Sequence, residues 1–248
     1  MVAFEAAVAG GIPIIKAIRE GLAANQIEWL TGIINGTGNF ILTEMRDKGR
    51  DFADVLAEAQ ALCYAEADPT FEVEGIDAAH KLTILASIAY GVPLQFDKAY
   101  TEGISRITAE DIEQADNLGY IIKHLGITRA TAKGLELRVH PTLIPKERLL
   151  ANVHGVKNAI EVMGDAVGPT LYYGAGAGAE PTASAVVADL LDVARDIATD
   201  VLFIQAGKDV TVWNRSAEPV RKFCEDTGAS GAVTPRKLAE EVEIVFTM

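Results

Sequence analysis

The sequence predicts an α/β fold: an α+β domain of helices packed on a mixed sheet, followed by a partial Rossmann-like βαβ segment. Three observations predict it. Hydrophobic residues make up 49% of the 248 residues, which is enough for a sizeable core. Helical spacing of apolar residues gives way to β-rich segments within residues 1–200. Residues 201–248 then follow the strand–helix–strand order of a nucleotide-binding sheet. We therefore divide the chain into a domain of residues 1–200 and a segment of residues 201–248.

Helices are predicted mainly in the first half of the chain. Residues 27–35 are predicted as a strand, which ends at a glycine-rich break over residues 36–38. Gly91 predicts the end of a helix. Thr108 and Asp111 have the spacing of a capping box at the start of another. The predicted helices cover residues 12–24, 39–49, 51–63 (capped by Asp51), 75–91 and 108–126, with residues 65–75 as a loop.

Strands are predicted mainly after residue 130. Residues 134–144, 159–164 and 168–174 alternate or concentrate β-forming residues. A glycine run, residues 174–179, separates the last of these strands from the next helix. The remaining predicted elements are helix 182–198, strand 209–215, helices 217–228 and 234–241, and strand 242–248.

The composition favours a cytoplasmic protein that binds neither nucleic acid nor a membrane. The net charge is −13, and the chain has no cluster of Lys and Arg for a phosphate backbone. The N-terminus carries an acid where a signal peptide carries basic residues, and no apolar run approaches the roughly 20 residues that span a bilayer. Cys63 and Cys224 have neither metal-ligand spacing nor the density of a disulfide scaffold, which fits a reducing compartment.

An acidic loop precedes the helix predicted over residues 75–91. Asp77 and Lys81 are four residues apart on this helix, so their side chains share one face. They form either a surface ion pair or, because the following apolar turns reduce the solvation of the lysine, a proton-donating pair. Glu66 and Glu72 are either solvated acids or ligands for the ammonium group of a small amino-acid-like molecule. The carboxylates of this region are Glu66, Asp68, Glu72, Glu74 and Asp77.

The same region carries a longer motif. It reads Glu66-Ala67-Asp68-Pro69, two residues, an acid, Val73-Glu74-Gly75-Ile76-Asp77, three residues and Lys81. This motif resembles the signature of homoserine dehydrogenases, and its spacing agrees throughout. Two positions depart from the family pattern: Cys63 stands where glycine is usual, and Glu72 stands where aspartate is usual. The segments FEAAVAGGIPII and GIINGTGNF also resemble blocks of this family.

The resemblance implies that residues 1–200 form the catalytic and dimerisation domain of an NADP- or NAD-dependent homo-oligomer, a dimer or tetramer. The implied reaction reduces L-aspartate 4-semialdehyde to L-homoserine, for threonine and methionine biosynthesis. Lys81 is the implied proton donor to the carbonyl oxygen, Asp77 orients the lysine or the substrate, and Glu66 holds the substrate amino group. The other implied substrate-binding residues are Tyr64, Glu72, Gly36 and Thr37. The implied backbone-carbonyl ligands of a monovalent cation such as Na⁺ are Glu5, Val8, Gly10 and Ile12.

The glycine run has two interpretations. It satisfies G-x-G-x-x-A, but a dinucleotide fold places an acid or a phosphate-binding Arg about 20 residues on, at the end of the next strand, whereas Arg215 lies 37 residues after Gly178. The run is therefore either a flexible loop or part of a larger site. By resemblance to homoserine dehydrogenases, residues 174–200 return into the nucleotide domain, with Gly178 against the cofactor. Residues 201–248 resemble instead the NADP-binding part of 3-hydroxyisobutyrate dehydrogenase-like enzymes, in which Asn214, Arg215 and Ser216 would face the 2′-phosphate.

The resemblance also implies that a nucleotide-binding domain, missing from this chain, normally precedes the catalytic domain in the family. Two alternative functions therefore stay open beside the dehydrogenase. One is a non-catalytic dimerisation or assembly fragment, which keeps the sheet but binds no cofactor. The other is a 3-hydroxyisobutyrate dehydrogenase-like oxidoreductase, which rests only on residues 201–248.

Overall fold

The structure, a computed structural model, describes residues 3–205, 211–212, 221–222, 224–226 and 228–231. The chain divides into two compact units. One comprises Glu5–Val186, and the other comprises Met1–Phe4 with Val187–Met248. Within the described residues, no helix is both long enough and apolar enough to cross a membrane.

A six-stranded sheet forms the centre of the larger unit, with strand order β2-β4-β3-β1-β5-β6. The parallel pair is β2 with β4, and the other neighbours are antiparallel. This mixed sheet confirms the predicted α/β class. The strands are β1 (Ile27–Ile33), β2 (Tyr100–Thr101), β3 (Tyr120–Thr131), β4 (Gly134–Pro145), β5 (Lys157–Gly164) and β6 (Gly168–Ala175).

The helices begin and end at local signals in the sequence. Gly49 and Gly91 adopt left-handed backbone conformations just after two helices, as expected for C-terminal glycines. Thr108 and Asp111 form both hydrogen bonds of the predicted capping box. The helices are α1 (Ile14–Lys16), α2 (Gly36–Lys48), α3 (Phe52–Ala61), α4 (Thr70–Val73), α5 (Ile76–Tyr90), α6 (Ala109–Asn117) and α7 (Ala179–Gln205).

Helix α5 covers one face of the sheet. Its Leu82 and Leu85 are fully buried in a cluster with Leu30, Val139 and other apolar residues of the strands. Helix α5 lies close to Gly126 of β3, because a Cβ at this glycine would lie 3.4 Å from the end of Leu82 and 2.9 Å from the end of Ile34. The sheet therefore fixes the position of α5, which carries the candidate site at its N-terminal end.

The other face of the sheet is covered in part. Ile33, Leu125 and Ala159 pack against Leu150 and Val153 of the chain between β4 and β5. Beside this cluster, a depression of about 290 Å³ remains on the sheet. It is lined by Trp29, Thr31, Ile127, Arg129 and Arg138.

The helix predicted over residues 108–126 is wrong in its second half. Helix α6 ends at Asn117, and Gly119 follows with φ +85°, a conformation that favours glycine and stops the helix. Residues from Tyr120 onward instead form β3, which pairs with both β1 and β4. Tertiary pairing decides the conformation of this apolar segment, because its short apolar run fits either a strand or a buried helix.

Other predicted boundaries also need correction. Strand β1 ends at Ile33, and α2 begins at Gly36 rather than at residue 39. The helix predicted over residues 12–24 is shorter, because α1 continues only as a π-helical turn over Ala17–Gly21. The loop predicted over residues 65–75 contains α4. Asp51 precedes α3 as predicted, but its side chain makes no capping hydrogen bond.

The described residues of the C-terminal segment are few. Helix α7 continues to Gln205, beyond the end predicted at residue 198. Two short strands, β7 (Thr211–Val212) and β8 (Ser230–Gly231), pair in parallel. The helix predicted over 234–241 and the strand over 242–248 lie outside the described residues. The Rossmann-like interpretation of this segment stays a prediction.

Candidate active site

Asn35 joins the start of α2 to the start of α5. It lies at the N-cap of α2, where its Oδ1 accepts a hydrogen bond from Gly38 N–H at 2.8 Å. Its Nδ2 donates to Asp77 Oδ2 at 2.9 Å. One buried amide therefore both caps α2 and orients the aspartate that the sequence predicts as a site residue.

Lys81 is held by two acceptors. Its Nζ lies 2.8 Å from Asp77 Oδ2 and 3.4 Å from the Ile34 carbonyl oxygen, so the predicted pairing of Asp77 with Lys81 is present. Both side chains are largely shielded from water, with 24% of the lysine and 20% of the aspartate exposed. An ammonium has three N–H donors, so one remains for a bound molecule.

Thr37 and Glu72 form the second part of the site. The Thr37 hydroxyl lies 2.5 Å from the Tyr64 carbonyl oxygen and 3.2 Å from Glu72 Oε1, and its single proton serves one of them at a time. Burial raises the pKa of the Glu72 carboxyl, although hydrogen bonds from Glu66 N–H and Thr37 oppose the increase. Glu72 Oε2 is buried and, among the described residues, has no hydrogen-bond partner. An unpaired carboxylate oxygen is the kind of acceptor that a cationic ligand requires.

The loop that carries Glu66 and Tyr64 is held from α3. Gln60 Nε2 donates to the Glu66 carbonyl oxygen at 3.0 Å and to the Ala67 carbonyl oxygen at 3.3 Å. The Tyr64 ring packs edge-on against Phe40, with centroids 5.1 Å apart. Glu66 is exposed, and its backbone N–H helps to keep the pKa of the Glu72 carboxyl from rising further. The structure thus brings Glu72, Thr37 and Tyr64 together and places Glu66 beside them.

The segment with the predicted cation ligands forms a tight turn. Ala9 and Gly10 have φ values of +55° and +41°. In the part of the chain that the structure describes, the carbonyl oxygens of Val8 and Gly10 accept no hydrogen bond, whereas the Ile12 carbonyl accepts one from Ile14 N–H. The Glu5 carboxylate accepts hydrogen bonds from two backbone N–H groups that follow the turn, those of Ile15 and Lys16. Two open carbonyls fit a hard cation, so the residues present are compatible with the prediction.

The glycine run packs closely against this turn. A Cβ on Gly10 would lie 2.3 Å from the Gly176 carbonyl oxygen, so no side chain fits there. Gly178 has φ +121°, which other residues rarely adopt. Both glycines therefore allow a close approach of backbone segments. The other predicted cofactor residues, Asn214, Arg215 and Ser216, lie outside the described residues.

Two buried polar residues, Asn35 and Lys123, were not predicted from the sequence. Asn35 had a usable signal, because Asn before the first turn of a helix is a common N-cap. Lys123 had none. It is 1% exposed on β3, and its Nζ donates to Asn39 Oδ1 at 2.9 Å and to the Val153 carbonyl oxygen. Asn39 Nδ2 in turn contacts three carbonyl oxygens, those of Val153, Gly155 and Lys157, at 2.9–3.2 Å.

Cys63, the first departure from the family motif, has a strained backbone. Its φ is +58°, in the left-handed region, and its side chain is exposed. We expect Cys63→Gly to stabilise the protein by about 0.5–1 kcal/mol, because relief of the left-handed strain exceeds the extra entropy of glycine in the unfolded chain. Urea denaturation measures the change. The control Cys63→Ala keeps Cβ and should give no gain; equal stability of all three proteins would contradict the strain.

A mixed six-stranded sheet with an oriented lysine–aspartate pair at one end of β1 defines an α/β domain with a candidate active site. Comparison with known proteins identifies it further. The chain belongs to the homoserine dehydrogenase family, whose profile matches residues 13–191.

Named relatives agree with this assignment. A homoserine dehydrogenase from Pseudomonas aeruginosa is 77% identical over 200 residues, which are 81% of this chain and 46% of that protein. The crystal structure of a homoserine dehydrogenase from Thiobacillus denitrificans superposes with a TM-score of 0.78 at 73% identity, over 79% of this chain and 46% of that chain. A hyperthermophilic archaeal homoserine dehydrogenase in complex with NADPH gives a TM-score of 0.66 at 29% identity, over 78% of this chain and 55% of that chain. The chain thus spans about half the length of these relatives.

Proposed function

We propose that the chain carries the substrate-binding and proton-donating part of a homoserine dehydrogenase, which reduces L-aspartate 4-semialdehyde to L-homoserine. One observation carries the proposal: Lys81 is held by Asp77 and the Ile34 carbonyl while one of its N–H donors stays available. The buried Glu72 Oε2, which has no partner within the described part of the chain, supplies an acceptor of the kind that an amino-acid ammonium requires.

In the proposed mechanism, Lys81 acts on the developing oxyanion. Reduction of the aldehyde leaves negative charge on its oxygen, and an ammonium at that oxygen stabilises the charge and donates a proton. Asp77 fixes the direction of Lys81, and Asn35 fixes Asp77. Glu72 and Glu66 hold the substrate amino group, and the backbone at Gly36 and Thr37 lines the same side.

NADPH or NADH supplies the hydride when it is bound. The archaeal relative in complex with NADPH supports this cofactor class. We assign Gly178 to the contact with the cofactor, because its φ of +121° permits a close backbone approach. Asn214, Arg215 and Ser216 stay a proposal for the 2′-phosphate. The carbonyls of Glu5, Val8, Gly10 and Ile12 are proposed to hold a monovalent cation.

A homo-oligomer is part of the proposal. The sheet face with Trp29, Ile127 and Arg129 is left open by the described elements of this chain and combines an aromatic ring, an aliphatic side chain and arginines. Aromatic residues and Arg are enriched in protein interfaces. This face therefore supports pairing of two copies through the sheet.

Binding of L-homoserine to the purified chain tests the substrate part without requiring the cofactor. Calorimetry should detect L-homoserine, whereas L-2-aminobutyrate, which lacks the hydroxyl, should bind more weakly. Glu72→Gln should weaken binding at least tenfold, because it removes a charge-assisted hydrogen bond. The matched control is Glu113→Gln, at an exposed position on α6. Equal binding of L-homoserine by both variants would remove Glu72 from the site.

The assembly fragment remains the second candidate, and the open sheet face favours it. Size-exclusion mass and titration with NADPH separate the two functions. A dimer that binds L-homoserine and NADPH supports the dehydrogenase. A dimer that binds neither supports the assembly fragment. The 3-hydroxyisobutyrate dehydrogenase-like alternative is disfavoured, since the family profile covers residues 13–191.

A further inference from the structure

Asn158 is a buried polar residue outside the sequence motifs of the proposed site. It is the second residue of β5, it is 1% exposed, and its Oδ1 has no hydrogen-bond partner among the described residues. Buried side-chain polar atoms in folded proteins nearly always have a partner, so such an atom requires an explanation.

Two glycines make room for the Asn158 side chain. A Cβ on Gly176 would lie 2.3 Å from Asn158 Cγ, and a Cβ on Gly36 would lie 3.6 Å from Asn158 Oδ1. The Gly36 position is also closed by the Val156 carbonyl oxygen, 2.8 Å from such a Cβ. The amide of Asn158 thus lies between the glycine run and the first residue of α2.

The same two segments belong to the proposed active site. Gly36 follows Asn35, whose amide binds Asp77, and Asp77 binds Lys81. Gly176 lies two residues before Gly178 in the glycine run. The unpartnered oxygen of Asn158 is therefore adjacent to both the substrate side and the cofactor side of the site.

We infer that Asn158 is a reactant-binding residue, whose Oδ1 accepts a hydrogen bond from an N–H donor of a molecule bound beside Gly36 and Gly176. This inference rests on the proposed function. Two reactants of that function carry such a donor: the amino-acid substrate has an ammonium group, and the nicotinamide ring has a carboxamide. An amide oxygen suits either donor, because it has two lone pairs and no charge that would need burial.

Calorimetric titration of the purified full chain tests the inference, with L-homoserine and NADPH titrated separately. Asn158→Leu removes the acceptor at similar volume, and Asn158→Ala removes it without added volume. Both substitutions should lower the affinity for the reactant that supplies the N–H donor about tenfold, as expected for a lost hydrogen bond. Asn158→Asp retains an acceptor oxygen and should keep that affinity within about threefold. The matched control is Asn152→Leu, at an exposed Asn whose amide donates hydrogen bonds to the Lys146 and Arg148 carbonyl oxygens.

The titrations identify the donor. If only L-homoserine binds more weakly, the donor to Asn158 is the substrate ammonium. If only NADPH binds more weakly, the donor is the nicotinamide carboxamide. Unchanged affinities in Asn158→Leu and Asn158→Ala would overturn the inference while leaving the proposed function intact. A structural role for Asn158 would also overturn the inference. It would show as an equal loss of affinity for both reactants, a lower melting temperature without ligand, and no recovery of affinity in Asn158→Asp. If the unaltered chain binds neither reactant, the proposed function fails first, and the inference fails with it.

Discussion

We expect Lys81→Ala to lower the NADPH-dependent reduction of L-aspartate 4-semialdehyde at least about a thousandfold. In the proposed mechanism, the substitution removes both the positive charge beside the carbonyl oxygen and the proton donor. The fold should persist, because the Lys81 side chain is partly exposed and Asn35 still binds Asp77. NADPH absorbance measures the rate, and circular dichroism measures the fold.

Lys81→Arg separates charge from proton donation. Arginine keeps the positive charge and can still pair with Asp77, but its guanidinium does not release a proton at neutral pH. We therefore expect L-homoserine affinity to change less than the rate, which should fall as in Lys81→Ala. Lys98→Ala is the control, because Lys98 is exposed and contacts Gln95. Full turnover in Lys81→Ala would remove Lys81 from the mechanism, and an inactive unaltered chain that binds neither reactant would support the assembly fragment.

The sequence predicts the Lys81–Asp77 pair well because their relation is local. Four residues on one helix determine a shared face, whatever the tertiary structure is. The same holds for the capping box of Thr108 and Asp111 and for the C-terminal glycine of α5. Cys63 also follows this rule, since a position where the family pattern has glycine takes a left-handed conformation in this chain.

The partners that come from distant segments could not be predicted. The contact of Asn35 with Asp77 joins residues 42 positions apart, and the contact of Lys81 with the Ile34 carbonyl joins residues 47 apart. Both depend on how α2 and α5 pack on the sheet. The missed strand β3 has the same cause, because its partners β1 and β4 decide its conformation.

Lys123 is the clearest case of a feature set by tertiary structure. Burial, and to a lesser degree the positive charge of Arg46, lowers its pKa to about 7, while Asp47 opposes the decrease. Among the described residues it forms no ion pair, and its two acceptors match the two N–H donors of a neutral amine. The network with Asn39 holds the chain before β5 against α2. Lys123 therefore couples the stability of this region to pH.

We expect the free energy of unfolding to rise with pH between about 7 and 10 because of this lysine. The unfolded chain keeps the proton up to the ordinary pKa of 10.5, whereas the folded chain releases it near 7, so the unfolded state binds more protons in this window. Relative to Lys123→Met, the unaltered protein should gain about 2 kcal/mol between pH 7 and pH 9, from a slope of up to about 1.4 kcal/mol per pH unit. Urea denaturation of both proteins at pH 7 and pH 9 measures the four free energies of unfolding that this comparison requires.

The comparison with Lys123→Met isolates one group, because all other titrations occur in both proteins. Lys133→Met, at an exposed position in the turn between β3 and β4, is the control and should follow the unaltered protein at both pH values. His154, whose pKa is lowered by burial and by the nearby Lys123 and Arg46, titrates below this window. Parallel pH dependence of Lys123→Met and the unaltered protein would show that Lys123 stays charged in the folded state. Its ammonium would then need a third acceptor beyond Asn39 and Val153.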